Sequence, residues 1–195
     1  MANTVFVQQD TVFDEAIFAF ANQHASEQTT QVMKVISFFA SAEYLLVAPP
    51  LVVLFFSFYK DLRWYGLKVL VISFSSSMLN QAMKRYFERP RPATAMLEQS
   101  GLSFPSGHAM IGGAFYGLLI YIVWHTVTNK VWRAVTITFL TTLIVLIGYS
   151  RVYLRVHYAT DVLAGYAMGL SWLIISVYIM RRLEKVYISR LGPKL

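Results

Sequence analysis

The sequence predicts an all-α protein, a polytopic membrane helical bundle of about five transmembrane helices with interfacial helices at its N-terminus. Three observations carry that expectation. Of 195 residues, 56% are hydrophobic and only 14% charged, and the mean hydropathy is +0.51, outside the usual range of soluble domains. Apolar runs recur at lengths close to what a hydrocarbon layer requires. The basic residues gather at the ends of those runs and in short loops, so the net charge of +7 belongs to a membrane topology and not to a nucleic-acid-binding face.

The length suits one domain over residues 1–195, divided into interfacial N-terminal helices (1–42), a transmembrane bundle (43–181) and a basic cytoplasmic tail (182–195). The absence of cysteine excludes disulfides, thiolate chemistry and cysteine-based metal sites. Met1 to Asp10 lacks the basic leader and apolar run of a signal peptide, so no cleavage is expected.

Taken in order, residues 11–24 place Val12, Phe13, Ile17 and Phe20 on one side with Asp14 and Glu15 opposite, the pattern of a short helix lying on a membrane. Residues 31–42 are apolar at helical spacing but too short to cross, and read as a second interfacial or partly inserted helix. The first span is expected at 44–59, where Pro49-Pro50 should kink it or break its hydrogen bonding. Lys60, Arg63 and Lys68 around Trp64 and Tyr65 form an interfacial anchor before a second span at 66–83. That span ends in Ser73, Ser75, Ser76, Ser77, Asn80 and Gln81, polar residues that normally bond neighbouring helices. A Pro- and Arg-rich connection fills 84–107. Spans at 109–124, 134–149 and 162–180 follow, with Gly112, Gly113, Gly117, Gly165 and Gly169 as packing positions.

Five crossings put Lys84, His108, Arg151 and His157 on one side of the membrane. Lys60, Arg63, Lys68, Lys130, Arg133, Arg181, Arg182, Lys185, Arg190 and Lys194, ten of the seventeen basic residues, fall on the other, with only Asp61 and Glu184 as acids. The positive-inside rule makes that second side cytoplasmic, so the polar cluster faces the extracytoplasmic side of the cell membrane.

The cluster has a chemistry of its own. Burying an imidazole, a carboxylate and two guanidinium groups beside hydrocarbon costs several kcal/mol unless they are paired. If a helix begins near Tyr158, His157 and Asp161 stand four apart and meet on its first turn. The carboxylate then holds one ring nitrogen and leaves the other free as base or nucleophile. Arg151 offers a planar fork that suits phosphate. For this stretch alone a second reading stands beside the first: a His-Asp pair capping a helix, with arginines reaching headgroups. In the long connection, Lys84 and Arg91 supply a point charge and a fork, Ser106 a hydroxyl, Gly107 close backbone approach to an oxyanion, and His108 a proton donor at a helix start.

The three blocks K-x6-R-P (Lys84, Arg91, Pro92), P-S-G-H (Pro105 to His108) and S-R-x5-H-x3-D (Ser150, Arg151, His157, Asp161) resemble the signature of the type-2 phosphatidic acid phosphatase superfamily, over about residues 66–180. The resemblance implies a lipid phosphatase that needs no metal or cofactor. It implies His157 as nucleophile, Asp161 as its orienting partner and His108 as general acid. Lys84, Arg91, Ser106, Gly107 and Arg151 become the phosphate-binding set. The implied partners are a membrane lipid phosphate and the bilayer, with no nucleic acid and no obligatory protein partner. The short plan points first to undecaprenyl diphosphate as substrate, with phosphatidylglycerophosphate, phosphatidic acid or lipid A as alternatives. A vanadium haloperoxidase or a non-catalytic lipid-phosphate binder are the readings from other classes. Arg85, Arg89 and Arg155 are expected on a solvated rim, Tyr153 and Tyr158 as interfacial anchors, His24 and His125 on the surface, and Glu98 near a headgroup at most.

Overall fold

The computed structural model describes residues 12–191 of the chain. Those residues form seven helices: α1 (Val12–Asn22), α2 (Glu27–Phe38), α3 (Ala42–Ser57), α4 (Arg63–Phe87), α5 (Gly113–Thr126), α6 (Lys130–Tyr153) and α7 (Ala159–Leu191). A 3-10 turn, Lys60–Leu62, leads into α4, and a π-helical turn, His108–Gly112, opens α5. The described residues contain no strand. The readings of Met1 to Asp10 and of the last four tail residues lie outside them.

The all-helical membrane class holds, and the spans differ from expectation in detail. By length and hydropathy, the helices at His108–Thr126, Lys130–Tyr153 and Ala159–Arg190 can each cross a membrane, and α2 and α3 together make a fourth, bent by 43°. The expected break at Pro49-Pro50 is not where the bend lies: α3 is helical through both prolines. The bend falls at Phe39–Ser41, where Ser41 caps a new helix by accepting from the Tyr44 N–H at 3.2 Å. Ser26 does the same for α2, accepting from Thr29 N–H at 3.1 Å. The segment read as 31–42 is therefore the upper limb of a broken pair. Helix α4 is long enough to cross, but its run of serines with Asn80, Gln81 and Lys84 leaves it less apolar than the others. It also runs one turn past the predicted end, so Lys84 sits on its last turn, and Glu88, with φ 48°, ends it in a left-handed cap.

Helices α3 to α7 enclose the main core, which includes Phe56, Val69, Ile72, Phe115, Leu118, Ile147 and Leu173. Two smaller clusters seat the N-terminal helices. Ala21 and Met33 pack on Tyr153, Leu154 and Val156, while Ile17 and Phe18 pack against Ala109, Val152, Ala159 and Val162. Helix α1 thus lies over the end of the bundle with Val12, Phe13 and Phe20 exposed, as an interfacial helix would. Its acid is turned inward, against expectation, because Asp14 finds partners in the bundle and is 1% exposed.

Among apolar surfaces in lipid, helices associate through close packing more than through the hydrophobic effect. One close approach of backbone to backbone joins α7 to the turn that carries His108. A Cβ on Gly169 would stand 2.5 Å from the carbonyl oxygen of Met110, and one on Gly165 would stand 2.9 Å from both Ala109 Cβ and Ser106 O. These two glycines let the His108 turn lie against the helix that follows His157. Gly169→Ala should therefore destabilise the protein by about 1–3 kcal/mol through overpacking. A lowered melting temperature in detergent is the expected readout, and an unchanged one would show that the turn moves away freely.

Candidate active site

The polar segments meet at one end of the bundle. Helix α7 begins at Ala159, so His157 and Asp161 are brought together as their spacing predicts, with Nδ1 of the ring 3.6 Å from Oδ2 of the carboxylate. Asp161 is fully buried, and its oxygens are filled. Oδ2 accepts from the Tyr158 N–H (3.0 Å), the back-bond of an acid at the third position of a helix, and from the Ser103 hydroxyl (2.5 Å). Oδ1 accepts from Arg89 Nη1 at 2.6 Å.

The far nitrogen of His157 faces Arg91, whose Nη1 lies 3.3 Å from Nε2. A guanidinium can only donate, so Nε2 must be the unprotonated nitrogen, and the proton sits on Nδ1 toward Asp161 and Ser103. His157 lies in the loop between α6 and α7, and burial there pushes its pKa down to about 4. The nearby charges of Arg151 and Arg91 act in the same direction, and the bond to Asp161 opposes them. The ring is neutral at physiological pH, with a lone pair on Nε2.

Arg91 owes its position to the connection 88–107, which folds back over the site. Its Nη1 donates to Val156 O (2.8 Å), its Nε to Gly101 O (3.1 Å) and its Nη2 to Ser100 O (3.3 Å). Lys84 donates to Leu102 O. The loop is closed by Ser103 N–H to Arg89 O (2.7 Å) and Met96 N–H to Leu154 O (3.0 Å).

A cavity of about 560 Å³ opens beside these groups. Lys84, Arg91, Gly107, His108 and His157 share it, so five of the eight predicted site residues line a single space. Its remaining wall is largely apolar, with Leu45, Leu46 and Pro49 of α3, Ile111 and Phe115. Ser73, Ser77, Asn80 and Gln81 of α4 also line it. The expectation that they bond neighbouring helices holds for Asn80, which donates to Pro105 O (3.4 Å) and Met110 Sδ (3.5 Å), and for Ser75, which accepts from Trp172 Nε1 at 2.9 Å; among the described residues the other serines of α4 take no bond from another helix.

The other predicted residues stand behind the cavity. Asp161 backs His157. Arg151 is 1% exposed, with Nη1 donating to Ser37 Oγ (2.5 Å) and Nη2 to Gln99 Oε1 (2.7 Å). Among the described residues, its Nε and the hydroxyl of the fully buried Ser106 have no hydrogen-bond partner. Buried donors left unpaired are costly, and these two belong to residues next in sequence to, or bonded to, groups that line the cavity, Ser106 beside Gly107 and Arg151 through Gln99.

Several participants were missed or misread in the sequence. Arg89, expected on a solvated rim, is only 10% exposed at its side chain, held in two ion pairs and stacked 4.0 Å from the centre of the Tyr158 ring. It links Asp161 to Asp14 of α1, which accepts from Arg89 Nη2 (3.1 Å), Thr160 N–H (2.9 Å) and Thr160 Oγ1 (2.8 Å). Asp14 therefore caps α7 from another helix. Tyr153, expected as an interfacial anchor, is buried, with its hydroxyl 3.1 Å from Thr30 Oγ1. Arg155 lies 5.7 Å from the Phe18 ring, and His24 and His125 are exposed as expected.

Both the sequence and the fold have counterparts among known proteins. The family model described as "PAP2 superfamily" matches residues 65–185, more than half of the chain. The chain belongs to the PAP2 superfamily. Within this superfamily it is 34% identical over 161 residues to phosphatidylglycerophosphatase B of Bacillus subtilis, covering 80% of this chain and 78% of that protein. It is 29% identical over 175 residues to an undecaprenyl-diphosphatase of Sulfolobus acidocaldarius, covering 85% and 77%. The crystal structure of a transmembrane PAP2-type phosphatidylglycerolphosphate phosphatase from Bacillus subtilis superposes with TM-score 0.84 at 29% identity, covering 93% of this chain and 90% of that one. The structure of Aquifex aeolicus LpxE, at 22% identity, shares the fold with TM-score 0.69, over 87% of this chain and 97% of that one. This PAP2-superfamily member is accordingly a membrane phosphatase.

The Asp14–Arg89–Asp161 chain positions His157 without touching the cavity. Asp14→Asn should lower turnover by about ten- to hundred-fold through misplacement of the ring. KM should stay within about twofold, because no cavity-lining group changes. Steady-state kinetics on the purified protein check this, and an effect confined to KM would show that Asp14 does not act through His157.

Proposed function

We propose that this protein removes a terminal phosphate from a membrane lipid by way of a phosphohistidine at His157. The carrying observation is the shared cavity, with two histidines and two cations at one end and an apolar wall along α3 and α5. In this reading Nε2 of His157 attacks phosphorus, and the bond from phosphorus to the lipid oxygen breaks. His108 gives its proton to the departing oxygen. Water, deprotonated by His108, then cleaves the P–N bond and releases inorganic phosphate. Lys84, Arg91, Arg151 and Ser106 offset the charge on the phosphoryl oxygens, with the Gly107 backbone alongside. Phosphoryl transfer needs chiefly such positioning and charge neutralisation, which fixed cations supply in a site that excludes water.

Both substrate classes expected from the sequence have a named counterpart among the relatives, a phosphatidylglycerophosphatase and an undecaprenyl-diphosphatase. The higher identity and the 0.84 structural match favour a glycerophospholipid phosphate such as phosphatidylglycerophosphate, with the polyprenyl diphosphate second. Phosphate release from purified lipid phosphates in detergent tests this, with EDTA present. His157→Ala should abolish release by at least about 10³-fold, and wild type should show a rapidly formed, acid-labile phosphoprotein. Full activity in the variant would remove the mechanism, and preference for the diphosphate would reverse the order of substrates.

We also propose that the site faces the extracytoplasmic side of the cell membrane, supported by the ten basic residues that the order of spans in the sequence assigns to the other side. The cysteine-free chain makes the test direct. Ser100→Cys, exposed beside the site, should react with a membrane-impermeant maleimide in intact cells. Lys130→Cys, exposed at the other end, should react only after permeabilisation. The reverse pattern would invert the topology.

A further inference from the structure

A second cavity, of about 510 Å³, lies at the opposite end of the bundle between α5 and α7, and nothing in the phosphatase reading uses it. Its position along α7 is set by helix geometry. Asp161 and Arg181 are both on that unbroken helix, twenty residues apart, which is about 30 Å at 1.5 Å per residue. That is about the thickness of a bilayer's hydrocarbon layer. If the histidines lie at one headgroup level, Arg181 lies at the other.

The lining of this cleft changes along the membrane normal. Deepest are Leu173, Ile174 and Val177. Next come two tyrosines, Tyr178 of α7 and Tyr121 of α5, at the level where aromatic side chains meet the interface. Outermost are Arg181, Arg182 and Lys185. Apolar, then amphipathic, then cationic is the profile of a phospholipid's chains, glycerol region and phosphate.

The cations are also available. All three are exposed, and no ion pair among the described residues engages any of them. The acid that shares their turn, Glu184, is turned toward the bundle, where it is paired with the buried Lys68 at 2.6 Å. Arg182 leans on Tyr178, with Nη2 3.2 Å from the hydroxyl and its guanidinium 5.2 Å from the ring centre. Three unneutralised charges above an apolar slot complement an anion with a long apolar tail, which no peptide or soluble phosphate provides.

We propose that this cleft binds an anionic phospholipid of the leaflet opposite the phosphatase site, its phosphate held by Arg181, Arg182 and Lys185 and an acyl chain lying along Leu173, Ile174 and Val177. The site is independent of the catalytic reading. It needs only that the helices cross the membrane.

Native mass spectrometry of the purified protein with phosphatidylglycerol or phosphatidylcholine of the same chains tests it. Wild type should retain phosphatidylglycerol in clear preference to phosphatidylcholine, and R181Q/R182Q/K185Q should retain it at least about tenfold more weakly. Because phosphatidylglycerol could also enter the histidine cavity, K84Q/R91Q separates the two sites and should still retain the lipid. R181K/R182K, which keeps the charge, should retain it as well and guards against loss by misfolding. Equal retention of both lipids by wild type would overturn the proposal, as would loss in K84Q/R91Q instead of the triple variant. So would a lipid-free dimer that dissociates in the triple variant, which would make the cleft a contact between copies of the chain.

Discussion

One buried carboxylate organises the phosphatase end of the molecule. Asp161 has no solvent to share its charge, so it persists only because Arg89, Ser103 and the Tyr158 N–H complete its hydrogen bonds. Two of those partners come from the long connection and the third from the residue that precedes α7, so meeting them pins the connection and the start of α7 to each other. The imidazole four residues earlier is held as a by-product. The two readings that the sequence left open, helix cap and histidine partner, are therefore both true of the same side chain. Oδ2 accepts from the helix's own N-terminus and also lies 3.6 Å from the His157 ring.

Arg89 carries this arrangement outward. Its two terminal nitrogens reach two acids, so the cation between Asp14 and Asp161 offsets both, and Asp14 can be buried on the inner side of an otherwise apolar helix. Helix α1 is thereby fastened to the bundle by charge and not only by Ile17 and Phe18. Arg91, two residues on, has the opposite role. Carbonyl oxygens of the loop hold it without neutralising it, and its charge remains directed at the cavity beside Nε2. Two arginines in one short segment thus differ in role, one tied into ion pairs and the other facing the cavity.

Much of this site was legible because its residues are ordered by local rules. The i, i+4 relation of His157 and Asp161, the placement of Ser106 to His108 at a helix start, and Lys84 at a helix end follow from spacing alone. The contacts that escaped are those made across the chain. Asp14 meets Thr160 across 146 residues and Ser103 meets Asp161 across 58, and no periodicity announces either. An acid inside the apolar pattern of α1 was a signal, since a solvated face offered Asp14 and Glu15 the same environment while only Glu15 is exposed. Arg89 looked like one more rim charge because its partners lie on other elements. The bend at Phe39–Ser41 escaped for a different reason: the prolines at 49 and 50 drew the expectation, whereas a serine cap was enough to start a new helix direction.

Helix α4 shows why counting apolar residues understates the bundle. Its low hydropathy comes from Ser73, Ser77, Asn80, Gln81 and Lys84, and all of these line the cavity. Its outward residues are another matter. Leu67, Leu70, Val71, Phe74 and Met78 are exposed and recur at helical spacing, giving a stripe that hydrocarbon accepts. The helix is amphipathic in the inverted sense, with its polar side toward the protein's interior and its apolar side toward lipid. A membrane requires only that the face it touches be apolar and that the backbone bond internally, and α4 meets both conditions between Leu67 and Met78. The polarity that removes it from a hydropathy count is thus the cavity wall seen in one dimension. A fully apolar α4 would cross more conspicuously, and would leave the cavity without its polar lining.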